Sequence, residues 1–301
     1  MGRLTNLAGI ILCGGASRRM GHSKAMLPIG QSTMIEHMVL KLLELTDQIV
    51  VVKSPEQQLP ALPGNVRIRN DAELFQGPLA GMAEGLAAID GKAEFAFITA
   101  VDTPLLKLEV VEELYRRIAF SGDDIIMPSD QEFHFPLAAI YRIAQVLPKA
   151  RELLSQGRKR PVFLMDDLNA MTVSMDELRA IDPNLESFEN MNSRSDYRKI
   201  MERMNLNIPD EFRPRVVHVE FFGTPFLITK TKRVEIACDL YEDLIQSIEI
   251  RFPELRDKVI IKGKLHRAFR LVRNDNDFID DFSLSPEPND DIILMNADVG
   301  G

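Results

Sequence analysis

The chain has 301 residues and a formal net charge of −9, with 45% hydrophobic residues and two cysteines. Its length exceeds the usual span of one domain, about 100–200 residues, so we expect two domains. The acidic balance argues against a broad nucleic-acid-binding surface, and the distant pair Cys13 and Cys238 indicates neither a disulfide framework nor a zinc site. Without a signal segment or about 20 consecutive apolar residues, the sequence predicts a cytoplasmic protein that does not enter a membrane.

Short apolar runs alternate with amphipathic stretches through the first part of the chain. The predicted elements are strands 8–12, 49–52, 66–68, 95–99 and 125–127 and helices 34–45, 79–88 and 108–119. This order predicts right-handed crossovers in an α/β domain with a Rossmann-like, doubly wound and mostly parallel sheet, which we place at residues 1–204. Ligands of such sheets bind at the carboxyl ends of the strands. Ser193 and Asp196 form a capping-box pattern that predicts a last helix from about Tyr197.

The first predicted strand runs into a glycine-rich segment that is typical of phosphate binding. Its candidate residues are Leu12, Gly14, Gly15, Ser17, Arg18 and Lys24. Glycine lets the backbone approach an anion closely, successive N–H groups can donate to phosphate oxygens, and Arg18 and Lys24 can add charge-assisted contacts. The spacing fits neither the Walker nor the dinucleotide fingerprint.

Asp102 directly follows the 95–99 strand, at the sheet edge where the glycine-rich segment also lies. Mg²⁺ prefers one or two carboxylates together with phosphate oxygens and waters. We therefore expect Asp102 to hold Mg²⁺ opposite the phosphates. The alternative is an ordinary turn or helix-capping aspartate, because Asp-Thr-Pro is a common way to leave a strand.

The segment from Leu12 to Lys24 resembles the nucleotidyltransferase signature of the molybdenum cofactor guanylyltransferase family. Further segments resemble that family's motifs in the same order, at residues 70–71 with 77–82, 97–104, 136–141 and 188–193. The resemblance implies a Mg²⁺-dependent transfer of GMP from GTP to molybdopterin with release of pyrophosphate. The runner-up is a cytidylyl- or sugar-1-phosphate nucleotidyltransferase.

The resemblance also implies roles for individual residues. Arg18, Lys24 and Asp102 would be catalytic, with Asp102 as the metal ligand. The nucleotide would be bound by Leu12, Gly14, Gly15, Ser17, Lys24, Asp71, Gly77, Pro78, Leu79, Gly81 and Asp102, and the pterin by Asn190 and Asn192. Asp71 and the two asparagines are also ordinary turn formers, which is the alternative for each of them.

Residues 205–214 carry two prolines among mixed polar residues and predict a linker. The predicted elements after it are strands 216–222 and 234–237, helix 240–252, and strands 259–261, 268–272 and 292–295. This order predicts a small α+β domain, compatible with a β-grasp, at residues 215–301.

The sequence ends in Gly300-Gly301, which on a small β-grasp resembles the sulfur-carrier subunit of molybdopterin synthase and its ubiquitin-like relatives. Residues 217–223 and 290–295 resemble that family's first and last strands, whereas Asn296-Ala297-Asp298 replaces its usual Pro-Pro. The resemblance implies Gly301 as the sulfur acceptor, with an adenylating enzyme and the large subunit of molybdopterin synthase as partners. A further alternative is a sulfur carrier whose first domain binds nucleotide without turnover and serves for docking.

Overall fold

The computed structural model describes residues 3–14, 23–71, 77–274 and 277–297. The chain divides into two compact units, Met1–Asn207 and Ile208–Gly301. Within the described residues, every helix is too short or too polar to cross a bilayer.

The first unit alternates strands with helices. Its strands are β1 (Leu7–Leu12), β2 (Pro28–Ile29), β3 (Ser32–Thr33), β4 (Ile49–Lys53), β5 (Arg67–Asn70), β6 (Phe95–Ala100), β7 (Ile125–Ser129), β8 (Ala138–Arg142) and β9 (Ala170–Ser174). Its helices are α1 (Met34–Leu43), α2 (Pro78–Ile89), α3 (Leu108–Ser121), α4 (Ile143–Ser155), α5 (Met175–Leu178) and α6 (Arg194–Arg203).

Seven of these strands form one sheet in the order β5-β4-β1-β6-β8-β7-β9. Neighbours run parallel except at β8, which is antiparallel to both β6 and β7. The predicted mostly parallel, doubly wound sheet is therefore confirmed. Because β1, β4, β6, β7 and β9 point the same way, their carboxyl ends share one edge, which we call the ligand edge.

Helices cover both faces of the sheet at β1. Gly9 and Ile10 point to opposite faces, as successive strand residues do. A Cβ built on Gly9 would lie 3.1 Å from Leu42 of α1, and one built on Gly85 of α2 would lie 2.5 Å from Ile10. All six residues of β1 are buried, which is the pattern of a strand covered on both faces.

The second unit is a separate small sheet with one long helix. Its elements are β10 (Arg215–Phe221), α7 (Thr224–Thr229), β11 (Arg233–Cys238), α8 (Tyr241–Arg251), β12 (Ile260–Ile261), β13 (Lys264–Leu265), β14 (Phe269–Arg273), β15 (Asp277–Phe278) and β16 (Asp291–Asn296). Five strands form one sheet in the order β11-β10-β16-β14-β15, and β12 pairs with β13.

The central strand of this sheet is β16, which runs parallel to β10 and antiparallel to β14. Alternate residues of β10, namely Val217, Val219 and Phe221, are buried in one core with Leu244 and Ile248 of α8. A mixed sheet with parallel central strands and a helix packed on it is compatible with the β-grasp expected from the sequence.

Three helices were not predicted, namely α4, the single turn α5 and α7. Pro148 inside α4 argues against a helix, because proline lacks an N–H and clashes with the preceding turn. The burial of Val146, Leu147 and Leu153 nonetheless holds α4 on the core. In the second unit α7 begins at Thr224 and has Pro225 in its first turn. It follows Gly223, whose φ of +65° is a backbone conformation that glycine adopts readily.

Candidate functional site

Three segments that are distant in sequence meet at the ligand edge through their side chains. The Lys24 Nζ donates to Asp102 Oδ2 over 2.6 Å and to Asn192 Oδ1 over 2.8 Å. The Lys24 and Asp102 side chains are only 18% and 16% exposed, so their ion pair is largely shielded from water. Lys24 and Asp102 were both expected at this edge, and the structure brings them together with the predicted pterin residue Asn192.

Lys24 is placed by the short turn that it begins, Lys24–Met26. Within and just after this turn, Ala25 and Leu27 are buried in the core, so the chain here is anchored beside the sheet. The Leu27 carbonyl then accepts from the Met34 amide at the start of α1. The backbone at Lys24 is therefore held in place, and this fixes the position from which its ammonium group extends.

Asp102 is placed by β6 and by contacts of the loop that follows it. The Thr103 hydroxyl donates to the Ala100 carbonyl over 3.1 Å, which closes the turn around Asp102. From α1, the Lys41 Nζ donates to the Pro104 and Leu106 carbonyls at 2.8 and 2.9 Å. His37 Nε2 lies 3.1 Å from the same Pro104 oxygen. Burial lowers the pKa of both His37 and Lys41, because desolvation disfavours their protonated, charged forms.

One oxygen of Asp102 remains available to a ligand. Its Oδ1 is buried and has no hydrogen-bond partner among the residues that the structure describes. A buried carboxylate oxygen without a hydrogen-bond partner suits a hard cation such as Mg²⁺. Within the described ranges no group of three His, Cys, Asp or Glu residues could hold a metal. A cation on Asp102 would therefore complete its shell with phosphate oxygens and waters.

Two of the expected nucleotide residues, Gly14 and Gly81, lie beside a third, Asp71. A Cβ built on Gly14 would lie 3.9 Å from Asp71 Oδ2, and one built on Gly81 would lie 3.7 Å from the same atom. The Gly81 position also lies 3.5 Å from Leu12. The end of β1, the end of β5 and the first turns of α2 thus surround one carboxylate, which can accept from the N–H groups of a base or from a ribose hydroxyl.

Gly77 and Pro78 form the start of α2. Gly77 has a φ of +84°, and a Cβ on it would lie 3.1 Å from the Lys159 carbonyl, so both conformation and space favour glycine here. Pro78 occupies the first helical turn, where a missing N–H is tolerated. Leu79 is different, because its side chain is buried in the core. Only the main chain of Leu79 can face a nucleotide.

Asn190 and Asn192 are exposed on either side of Met191, which is fully buried. The Met191 amide donates to the Asp102 carbonyl over 2.9 Å, so this segment lies directly against the end of β6. Beside it, an open groove with a volume of about 920 Å³ includes Phe135, Phe188 and Glu189. The rings of Phe135 and Phe188 are in edge contact at 5.4 Å.

Four expected site residues lie outside the described residues. They are Gly15, Ser17, Arg18 and Gly301.

Comparison with known proteins identifies the family of the first unit. Residues 9–169 match the family model of the MobA-like NTP transferase domain. The chain belongs to this family. It is therefore a nucleotidyltransferase, as expected from the sequence.

Two relatives and one solved structure illustrate the similarity. A probable molybdenum cofactor guanylyltransferase of Mycobacterium tuberculosis (strain ATCC 25618 / H37Rv) is 36% identical over 178 residues, which cover 58% of this chain and 87% of the relative. The protein of the same description from Mycolicibacterium paratuberculosis is 34% identical over 199 residues, covering 65% and 95%. The molybdopterin-guanine dinucleotide biosynthesis protein A of Archaeoglobus fulgidus shares the fold, with a TM-score of 0.55 and 24% identity over 66% of this chain and 98% of that one.

Cys13 lies in the first loop of this nucleotidyltransferase but is not suited to act as a nucleophile. Its side chain is buried, and both burial and the negative charge of Asp102 raise the pKa of the thiol. The reactive species of cysteine is the thiolate, which these surroundings disfavour. Cys13 therefore serves as a small apolar residue.

Some residues of the nucleotidyltransferase site were missed by the sequence analysis. Ser54 follows β4, and its Oγ would lie 3.4 Å from a Cβ on Gly14. Gln57 donates to the Ser23 Oγ over 3.0 Å and thereby ties the β4 loop to the residue before Lys24. Their position after a parallel strand is the signal that could have found them, because β4 ends at the ligand edge.

Proposed function

We propose that the protein transfers GMP from GTP to molybdopterin and releases pyrophosphate. The proposal rests on two contacts of the Lys24 Nζ, which donates to Asp102 Oδ2 over 2.6 Å and to Asn192 Oδ1 over 2.8 Å. They join a phosphate-binding lysine, a carboxylate with an open oxygen and an amide from the expected pterin segment. The names of the curated relatives supply the guanylyl group and the molybdenum cofactor as the chemistry to test.

In this reaction an oxygen of the molybdopterin phosphate attacks the α-phosphorus of GTP. The new O–P bond forms as the bond from that phosphorus to the bridging oxygen breaks, and pyrophosphate leaves with the electron pair. The Lys24 ammonium neutralises negative charge that develops on the phosphate oxygens. Arg18, from the same loop, has the same role. Positioning and electrostatics suffice here, so no covalent enzyme intermediate is required.

The residues present fit a divalent cation, and we assign Asp102 as its protein ligand. The open Oδ1 would contact the cation, while Oδ2 already accepts from Lys24. Bound Mg²⁺ would supply charge neutralisation on the phosphates and help to align them. The contribution of Asp102 itself is to keep a charged oxygen at the end of β6, where the phosphates would lie.

The two sides of Asp102 are proposed to bind the two substrates. On the side of β1, β4 and β5, the nucleotide would contact Asp71, Gly14 and Gly81, with further contacts from Leu12, Gly15, Ser17, Gly77, Pro78 and the Leu79 main chain. On the side of β8, β7 and β9, the asparagines Asn190 and Asn192 would bind the polar edge of the pterin. This division places the reacting phosphates next to Lys24.

A nucleotide-binding panel tests the proposal. With Mg²⁺ present, GTP should bind the purified protein at least about tenfold more tightly than CTP or ATP, because a pocket that hydrogen-bonds one base leaves polar groups unpaired with another. Turnover with GTP should consume molybdopterin and release pyrophosphate in equal amounts. Preference for CTP, or transfer only to a sugar 1-phosphate, would replace the proposal by one of those activities. Binding without any transfer would favour a docking domain.

A second function, sulfur delivery, is favoured by the topology of the second unit. Its central strand β16 ends at Asn296, shortly before Gly300 and Gly301. We propose that a partner enzyme uses ATP to adenylate the Gly301 carboxylate, with release of pyrophosphate. Sulfide from a donor then attacks the acyl carbon and displaces AMP, and the resulting thiocarboxylate is used by the large subunit of molybdopterin synthase. Incubation with an adenylating enzyme, ATP and a sulfur donor should add the mass of one sulfur-for-oxygen exchange to the C-terminal peptide. An unchanged peptide with every cognate partner would refute this role.

The domain plan remains part of the proposal. It comprises a nucleotidyltransferase domain at residues 1–204, a linker at 205–214 and a sulfur-carrier-like domain at 215–301, in a cytoplasmic protein. The thiols of Cys13 and Cys238 are buried and form no disulfide, so neither cysteine links the two domains. Limited proteolysis should cut first within 205–214 and release two fragments that stay folded.

A further inference from the structure

Asp182 is a buried carboxylate that the proposed chemistry does not use. It is 0% exposed, its Oδ1 accepts from the Lys107 Nζ over 2.8 Å, and its Oδ2 accepts from the Ser187 amide over 2.8 Å. Burial by itself raises the pKa of Asp182, but the hydrogen bonds from Lys107 and Ser187 outweigh it and hold the pKa below its ordinary value. A buried carboxylate that is paired at both oxygens holds its two partners in place, because breaking either contact leaves the buried charge poorly compensated.

The main chain of Lys107 contacts the same segment as its side chain. The Lys107 amide donates to the Ser187 hydroxyl over 2.9 Å, and Ser187 is 1% exposed. Lys107 also lies 3.3 Å from Glu186 Oε2. The end of the loop after Asp102 is thereby attached to Asp182, Glu186 and Ser187 at once.

A second attachment lies at the other end of that segment. The Met191 amide donates to the Asp102 carbonyl over 2.9 Å, and the Met191 side chain is fully buried. Residues 187 and 191 are therefore both tied to the loop between Asp102 and Lys107. Asn190 lies between the two attachments, and Asn192 directly follows the second.

We propose that Asp182 and Lys107 are positioning residues for the acceptor substrate. They hold residues 186–192 in register with the loop after β6, so that Asn190 and Asn192 keep a fixed position relative to Lys24 and Asp102. This inference rests on the proposed function in one respect, namely that the acceptor binds at the asparagines. Neither Asp182 nor Lys107 contacts the reacting atoms.

The nucleotide side of the site does not depend on this pair. Asp71, Gly14 and Gly81 are placed by β1, β5 and α2, where the Asp71 amide donates to the Lys53 carbonyl over 2.7 Å. Loss of the Asp182–Lys107 pair should therefore raise the KM for the acceptor by about tenfold or more, because small misplacements of positioning groups are costly. The Kd for GTP should stay within about twofold of the wild-type value.

The experiment compares Lys107→Met and Asp182→Asn with Lys149→Met in the full chain. Lys149 is a matched control, because its Nζ also donates to a carboxylate, Glu152, over 2.7 Å, but on the surface of α4. Lys107→Arg keeps a cation at a side chain that is 32% exposed. This variant should restore the KM for the acceptor toward the wild-type value. If the pair only stabilised the fold, its loss would lower the unfolding temperature without raising the KM for the acceptor more than the Kd for GTP.

Hydrogen exchange gives a readout that is independent of turnover. The Ser187 and Met191 amides should exchange faster in Lys107→Met and Asp182→Asn, while Lys149→Met keeps the wild-type rates. If the wild-type protein does not accept molybdopterin, the proposed function fails, but faster exchange at these two amides still supports the positioning role. Unchanged exchange at Ser187 and Met191, or equal losses in GTP and acceptor binding, would overturn it.

Discussion

Lys24 and Asp102 form an ion pair with 2.6 Å between Nζ and Oδ2, although 78 positions separate them in the sequence. Each charge compensates the other before any substrate arrives. The pair is also largely shielded from water, so its strength is less reduced by solvent than that of a surface pair. Substrate phosphates and a cation would have to share these groups.

Lys24→Ala and Asp102→Asn should each slow pyrophosphate release by about 100-fold or more, while the fold stays intact. Loss of one preorganised charge at the reacting phosphates removes transition-state stabilisation of roughly 3 kcal/mol. Steady-state turnover and thermal unfolding should be measured together, with Lys149→Ala as a control lysine. Wild-type turnover in either variant would contradict the site assignment.

Lys24→Met should bind Mn²⁺ more tightly than the wild-type protein when nucleotide is absent. Without the ammonium beside it, the Asp102 carboxylate is no longer neutralised and attracts the cation more strongly. The binding free energy of Mn²⁺ should improve by about 1 kcal/mol, or roughly fivefold in affinity. Electron paramagnetic resonance of free Mn²⁺ measures this directly. Asp102→Asn should lose the site, and equal Mn²⁺ affinity in all three proteins would count against Asp102 as the ligand.

Gly81→Ala and Gly85→Ala, both in α2, should behave differently. A Cβ on Gly85 would lie 2.5 Å from the Ile10 Cγ2, inside a packed core, so this change should lower the free energy of unfolding by about 1–3 kcal/mol. A Cβ on Gly81 has ordinary contacts, the nearest at 3.5 Å, and alanine favours helix by about 1 kcal/mol.

Gly81→Ala should therefore fold at least as well as the wild-type protein but bind GTP more weakly, because the added methyl lies between Leu12 and Asp71. Urea unfolding and GTP titration distinguish the two variants. Tight GTP binding by Gly81→Ala would remove this position from the nucleotide pocket.

The stabilising effect of Asp182 should depend on pH. Because its pKa in the folded protein is below the ordinary 3.8, the folded state binds fewer protons than the unfolded state near that pH. The stabilisation is thus present above about pH 4 and is lost as the pH falls through the folded pKa. At pH 7 Asp182→Asn should be less stable than the wild-type protein by about 2 kcal/mol. Urea unfolding should show this difference shrinking at pH 3, and a difference that does not change with pH would argue against a charged Asp182.

The central strands could be predicted, because a strand that is buried on both faces consists almost entirely of apolar residues. β1, β4 and β6 are continuous apolar runs, as expected of parallel strands beneath two layers of helices. β9 was missed, because an edge strand in which Val173 is the one buried residue has no such run. The position of β8 in the sheet was also not predicted, since periodicity does not reveal which neighbours a strand will pair with.

The approach of Lys24 to Asp102 could be anticipated, because both residues come after parallel strands that end at one edge. The contact between Asp182 and Lys107 could not be predicted from the sequence. In sequence, Asp182 precedes a proline and looks like any turn former, and its partner lies 75 positions away. A contact between two loops leaves no periodic pattern, so only the folded chain reveals it.

The antiparallel direction of β8 has a consequence for how this enzyme family can diversify. β7 ends at Ser129 and β8 begins at Ala138, so the hairpin that joins them returns to the ligand edge without a crossover helix. It carries Phe135 into the groove beside Phe188. Hairpin loops tolerate insertions and deletions that the strands beneath them do not. Evolution can thus change the length and composition of this loop while the strands that place Lys24 and Asp102 are kept.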